Sequence, residues 1–123
     1  MTNGQTNLGV QPNVGGLLCY APCCIGLIFS IVAAIVEKQS RFVRFHAFQS
    51  LLLHAGMLVI GLGLQVATIA LGAFAGPLGV VVSLLGIPVG LAFLALTILL
   101  MVKAYQNEEW ALPTLGDMAR KWV

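Results

Sequence analysis

Cys19, Cys23 and Cys24 are the first residues whose chemistry has to be weighed. Positions 19 and 23 are one helical turn apart and share a face, the placement two metal ligands would need. A zinc or iron-sulfur site requires further ligands at matching depth, and this stretch has neither a CxxC pair nor a neighbouring histidine. A disulfide between 19 and 23 inside a helix is geometrically poor. Packing as small buried residues is therefore favoured over palmitoylation, metal binding or a redox role.

His46 and His54 are separated by about 80° around a helix, so they do not form a facing pair. His46 stands beside Arg44 and is expected to bond a backbone carbonyl, a lipid phosphate or the nearby tail rather than a metal. His54 lies deeper, where an ionisable group is a functional candidate by default. A single axial histidine could hold haem or chlorophyll, but no second ligand stands at a matching spacing. A hydrogen bond to Ser50, Gln65 or Thr68 is expected instead, which makes His54, Gln65 and Thr68 a candidate intramembrane polar site. There is no intramembrane carboxylate or lysine, no Ser-His-Asp set, no HExxH and no phosphate-cradling loop. The expectation is a protein that is not an enzyme and uses no metal or cofactor.

The elements that position these residues follow from hydropathy. Of the 123 residues, 59% are hydrophobic and 8% charged, too apolar for the surface of a small soluble domain. Residues 14–36, 48–75 and 78–102 contain no Asp, Glu, Lys or Arg. About 20 helical residues cover a hydrocarbon core of about 30 Å, so each stretch is long enough to span. None shows the alternation of a transmembrane strand. The expected fold is all-α: an integral membrane bundle of three transmembrane helices plus a short amphipathic interfacial helix near the C-terminus. Residues 1–13 form a polar tail, and residues 14–123 form one membrane domain whose last part, 104–123, lies at the interface. The first apolar run is too long, and its flank too poor in Lys and Arg, for a cleavable signal peptide. Six basic residues are too few and too dispersed for a nucleic-acid partner.

Glu37, Lys38, Arg41 and Arg44 lie between the first two stretches, and Lys103, Glu108, Glu109, Asp117, Arg120 and Lys121 follow the third. Three crossings place both charged segments on one face, which the positive-inside rule makes cytoplasmic. The expected location is a bacterial-type inner membrane, with the N-terminus outside and the C-terminus cytoplasmic.

Phe42, Phe45 and Phe48 recur every third residue beside Arg41 and Arg44, a pattern suited to the headgroup region. Ser40 is the expected N-cap of a helix beginning at Arg41. With His46 and Gln49, the residues Arg41, Phe42, Arg44 and Phe45 form an interfacial motif. Near the C-terminus, Leu112-Pro113 interrupts the chain, and Leu115, Met118, Ala119 and Trp122 then form one apolar stripe. Tyr105, Trp110 and Trp122 are the expected interfacial anchors. Pro22 and Pro88 should bend their spans, as structural kinks in preference to transporter hinges. Gly72 and Gly76, and Gly86 and Gly90, have the spacing that permits close helix approach.

The segment Glu37-Lys38-Gln39-Ser40-Arg41-Phe42-Val43-Arg44-Phe45-His46-Ala47-Phe48-Gln49-Ser50 resembles the signature of a family of small bacterial membrane proteins related to the Tic-twenty component of the chloroplast inner-envelope import machinery. Lys103-Ala104-Tyr105-Gln106-Asn107-Glu108-Glu109-Trp110, with Leu112-Pro113 and Gly116-Asp117, resembles that family's ending. The resemblance implies a helical membrane domain and, for the plastid relatives, a role in moving preproteins. Those relatives have four spans where three are read here. The expected function is a non-enzymatic scaffold or accessory subunit linked to protein translocation or insertion. Its partners would be the lipid bilayer and a membrane protein or a second copy, contacted through Arg41, Arg44 and His46. The alternatives are a small oligomeric channel or carrier using Gln65, Thr68, Ser83 and the Pro88 bend, and a cofactor-binding electron-transfer subunit using His54.

Overall fold

Proline placement and helix capping account for most of the element boundaries. The computed structural model describes residues 6–22 and 24–123, so Cys23 and the first five residues of the expected polar tail lie outside the described residues. Six helices occur in the order α1 (Pro12–Leu18), α2 (Cys24–Val36), α3 (Arg41–Phe74), α4 (Gly76–Leu84), α5 (Gly86–Tyr105) and α6 (Leu115–Trp122), with no strand among the described residues.

The stretch expected to form one bent span at 14–36 is two helices of 7 and 13 residues. Pro12 starts α1, where its fixed φ suits a first turn. The helix closes with tight turns from Tyr20 N–H to the Leu17 carbonyl (3.0 Å) and from Ala21 N–H to Leu18 (3.2 Å). Pro22 has no N–H to continue the ladder, so the chain turns instead of bending. Gly26 permits that turn: a Cβ there would strike the Ala21 carbonyl oxygen and lie 3.0 Å from that of Cys19.

Ser40 caps α3 as expected, its Oγ accepting from Val43 N–H at 3.3 Å. The helix then runs for 34 residues, so the interfacial segment and the second apolar stretch belong to one continuous helix. The third stretch is interrupted at Leu85, three residues ahead of Pro88. Pro88 offers no N–H to the Leu84 carbonyl, and α4 ends at that residue. Regular bonding resumes with Val89 N–H to Leu85 at 3.3 Å.

The end of α5 is a Schellman motif. Glu108 N–H donates to Lys103 (2.9 Å) and Asn107 N–H to Ala104 (3.0 Å), with Asn107 at φ 63° in the left-handed region that asparagine tolerates. A γ-turn centred on Thr114, φ 67° and ψ −57°, precedes α6.

The chain divides into two compact units. The first, Met1–His54 with Thr97–Val123, has a core of Cys19, Tyr20, Ala33, Val43, Phe45, Leu100, Ala104 and Ala119. The second, Ala55–Leu96, exposes Leu58, Val59, Leu62, Val66, Ile69 and Phe74 along α3, and Val80, Val81 and Ile87 along α4 and the start of α5. Inside this unit a Cβ on Gly79 would lie 2.6 Å from Gly72 Cα, so glycine on both sides brings the backbones together. Gly86 and Gly90, by contrast, face open space. α3 and the stretch Gly76–Tyr105 are the two helical stretches long and apolar enough to cross a bilayer among the described residues, while α2 is shorter.

Candidate functional site

The polar side chains of the first unit converge on a buried cluster at the start of α3. Gln49 is its hub. Its Nε2 donates to the Tyr20 hydroxyl (2.9 Å) and the Trp110 carbonyl (3.1 Å), and its Oε1 accepts from Leu112 N–H (2.8 Å). These bonds fix the amide orientation, because a flipped group would set its NH2 against the Leu112 donor. The Tyr20 hydroxyl, accepting from Gln49, donates in turn to His46 Nδ1 at 3.0 Å. That assigns His46 as a neutral ring with its proton on Nε2. The ring is fully buried and boxed edge-on by Phe42, Phe45 and Tyr20, at centroid distances of 4.5, 5.1 and 5.5 Å, and among the described residues Nε2 has no partner within hydrogen-bonding distance. Gly16 admits this packing: a Cβ there would lie 2.9 Å from Phe42, 3.1 Å from Ala104 and 3.2 Å from His46.

A second set of bonds satisfies the backbone freed by the α1–α2 turn. The Cys19 carbonyl accepts from Ser30 Oγ (2.9 Å) and Ser50 Oγ (2.6 Å). Here the cysteine contributes its backbone, and its thiol is buried among core side chains. Cys19 is the C-cap of α1 and Cys24 opens α2, where it is exposed; the face expected to be shared by positions 19 and 23 involves Cys23, which lies outside the described residues. His54 Nδ1 lies 2.7 Å from the Ser50 carbonyl and 3.2 Å from Ser50 Oγ, one turn back on the same helix. Gln65 is exposed on α3. Thr68 presents its carbonyl towards the Gly79 position.

Glu37 escaped the sequence reading. It is fully buried, and its carboxylate accepts from the backbone N–H groups of Asn7 (2.8 Å), Gln39 (2.8 Å) and Ser40 (2.9 Å). Asn7 Oδ1 answers by accepting from Lys38 N–H (2.6 Å) and Gln39 N–H (3.1 Å). An acidic residue just ahead of an N-cap serine was the available signal, since carboxylates favour helix N-termini. Tyr20 was also missed; nothing in its spacing marks it out.

Arg44 works at the opposite helix pole. Its Nη1 donates to the carbonyls of Ala34 (3.2 Å) and Glu37 (2.9 Å) at the end of α2, and its Nη2 to that of Trp122 (3.3 Å) at the end of α6. Cations belong at helix C-termini, and one guanidinium serves two of them. Phe48 lies beneath it at 5.3 Å and meets the Trp122 ring at 5.9 Å. Arg44 and His46 are thus internal braces, and Arg41 is the exposed basic residue of the motif. The anchors Tyr105, Trp110 and Trp122 are partly exposed, and each lends its backbone carbonyl to the cluster; that of Tyr105 accepts from Asn13 Nδ2 at 3.2 Å. The remaining carboxylates pair with cations: Glu108 with Lys103 (2.9 Å), and Glu109 and Asp117 with Arg120 (3.3 and 3.8 Å). Among the described residues no three His, Cys, Asp or Glu side chains are arranged to hold a metal ion.

A family model for magnetosome magnetite crystal formation proteins, MamF_MmsF, matches residues 6–119. A UPF0132 membrane protein of Methanocaldococcus jannaschii is 40% identical over 97% of this chain and 94% of its own length. One from Archaeoglobus fulgidus is 35% identical over 93% of this chain and 97% of its own. A second from M. jannaschii is 33% identical over 94% and 72%. No solved structure matches. These matches overturn the resemblance to the Tic-twenty relatives: the motif at 37–50 and the ending at 103–117 fall inside the MamF_MmsF match, and nothing links the chain to the plastid import machinery. The chain is a membrane protein and belongs to the MamF_MmsF family, described as the magnetosome magnetite crystal formation protein family.

Proposed function

We propose that this protein is a non-enzymatic membrane scaffold, held in the bilayer by α3 and the α4–α5 pair and presenting a basic cytoplasmic rim to a membrane-protein partner or a second copy. The observation that carries this reading is the use made of the reactive side chains. Gln49, Tyr20, His46, Glu37 and Arg44 all bind segments of this chain to one another, while Lys38, Arg41 and Lys121 stay exposed. A link to protein translocation loses its support with the Tic-twenty resemblance. The family description speaks of crystal formation; for this chain we read that as organising a membrane in preference to gripping mineral, because Glu37 is buried against backbone donors and Glu108 and Glu109 are paired with Lys103 and Arg120.

In-membrane crosslinking from a probe at the exposed position 38, close to Arg41, tests the scaffold. A discrete protein adduct that disappears in Arg41→Glu is expected, and capture of lipid alone would refute the reading. A second reading, an oligomeric channel or carrier, is favoured by exposed Gln65 on an otherwise apolar helix surface, where a polar side chain seeks a neighbouring helix. Solute flux into liposomes that is lost in Gln65→Leu would favour it over the scaffold.

A further inference from the structure

We propose that α1 and α2 form a re-entrant hairpin, which enters and leaves the bilayer on one face, so that the chain crosses twice and its N-terminal segment shares a face with its C-terminus. The inference rests on the reading that α3 and the α4–α5 pair cross the membrane.

Distance carries it. If α1 and α2 together made a crossing, residues 7 and 37 would stand on opposite sides of about 30 Å of hydrocarbon. They are hydrogen-bonded to each other: Asn7 N–H reaches the Glu37 carboxylate at 2.8 Å, and Asn7 Oδ1 accepts from Lys38 N–H at 2.6 Å. The start of α1 is tied down equally on that face, since Asn13 bonds the carbonyl of Tyr105 at the end of α5, beside the charged tail. Gly15 faces Val43, and Gly16 faces Phe42 and Ala104, all within two residues of charged positions.

Length agrees. Helices of 7 and 13 residues reach about 10 and 20 Å, each short of a full crossing. The first residues of the turn after α1, ahead of the exposed Pro22, have the features that irregular backbone within a membrane requires. Cys19, Tyr20 and Ala21 are buried in protein, and the Cys19 carbonyl has two serine donors.

Charge allows it as well. The segment before α1 has no Lys or Arg, so the positive-inside rule places it on neither side. The two charged segments keep a common face, because α3 leaves it and α4–α5 returns. Three crossings are therefore not needed to bring them together.

Single reporters Leu8→Cys, Ala75→Cys and Lys121→Cys, added one at a time to the full chain, separate the topologies. Intact cells are treated with a membrane-impermeant maleimide before and after permeabilisation, with the unsubstituted chain as background. Leu8→Cys and Lys121→Cys should label in the same compartment, and Ala75→Cys in the other. Labelling of Leu8→Cys together with Ala75→Cys would overturn the hairpin and restore three crossings. Ala75→Cys labelling with Lys121→Cys would overturn the crossing of α3 and α4–α5 beneath it. A paired variant, Asn7→Cys with Lys38→Cys, should close on itself with a short bis-maleimide in native membranes. Its failure to close while each position labels singly would equally overturn the hairpin.

Discussion

The two units of this chain solve the problem of burial in opposite ways. In the first, polar side chains are taken out of water and tied to other parts of the chain: Gln49 makes three hydrogen bonds, and Glu37 accepts three. In the second, the helices have almost no polar side chains to satisfy, and large apolar residues such as Phe74, 90% exposed, face outward. Helix α3 belongs to both regimes, polar-knotted up to His54 and bare from Ala55. Specific pairing defines one unit, and a solvent of matching polarity defines the other.

Substitutions should expose that contrast. Gln49→Leu strands the Tyr20 hydroxyl, the Trp110 carbonyl and the Leu112 N–H. At about 1–3 kcal/mol per orphaned buried group, a loss of about 3–5 kcal/mol is expected, read as a lowered melting temperature in detergent. Glu37→Ala removes the acceptor for three backbone donors at the start of α3 and should cost about 2 kcal/mol, with Glu37→Gln costing less because one acceptor oxygen survives. In the second unit Gly79→Ala presses a methyl group against Gly72, a strain of about 1–3 kcal/mol that should loosen the α3–α4 turn to proteases. Leu62→Ala, on an exposed face, should leave detergent stability within about 0.5 kcal/mol. A large effect there would show a packed partner in place of lipid and would erase the distinction between the units.

The second unit was the more legible in sequence. Its helices follow from hydropathy, and the interruption at Leu85 from the donor that Pro88 lacks. Ser40 marked the start of α3, and the period of Leu115, Met118 and Ala119 marked α6. The first unit was only half readable. Hydropathy averages over a window, so the turn at 19–22 vanished inside a continuous apolar run, with Pro22 read as a bend. Glu37 resembled any surface charge, because its partners are backbone N–H groups, one of them 30 residues away. Arg44 and His46 look like a contact surface in sequence for the same reason: residue type announces a polar group but not which internal partner it will meet.

The doubly bonded Cys19 carbonyl has a consequence for biogenesis. During synthesis α1 and α2 leave the ribosome before Ser50, and well before the Trp110 and Leu112 backbone that completes the Gln49 hub. Ser30 can quench that oxygen early, yet Tyr20 gains its Gln49 donor only once α3 has emerged. The nascent N-terminal third therefore completes its set of hydrogen bonds only after the C-terminal segment has been made, although it is itself made first.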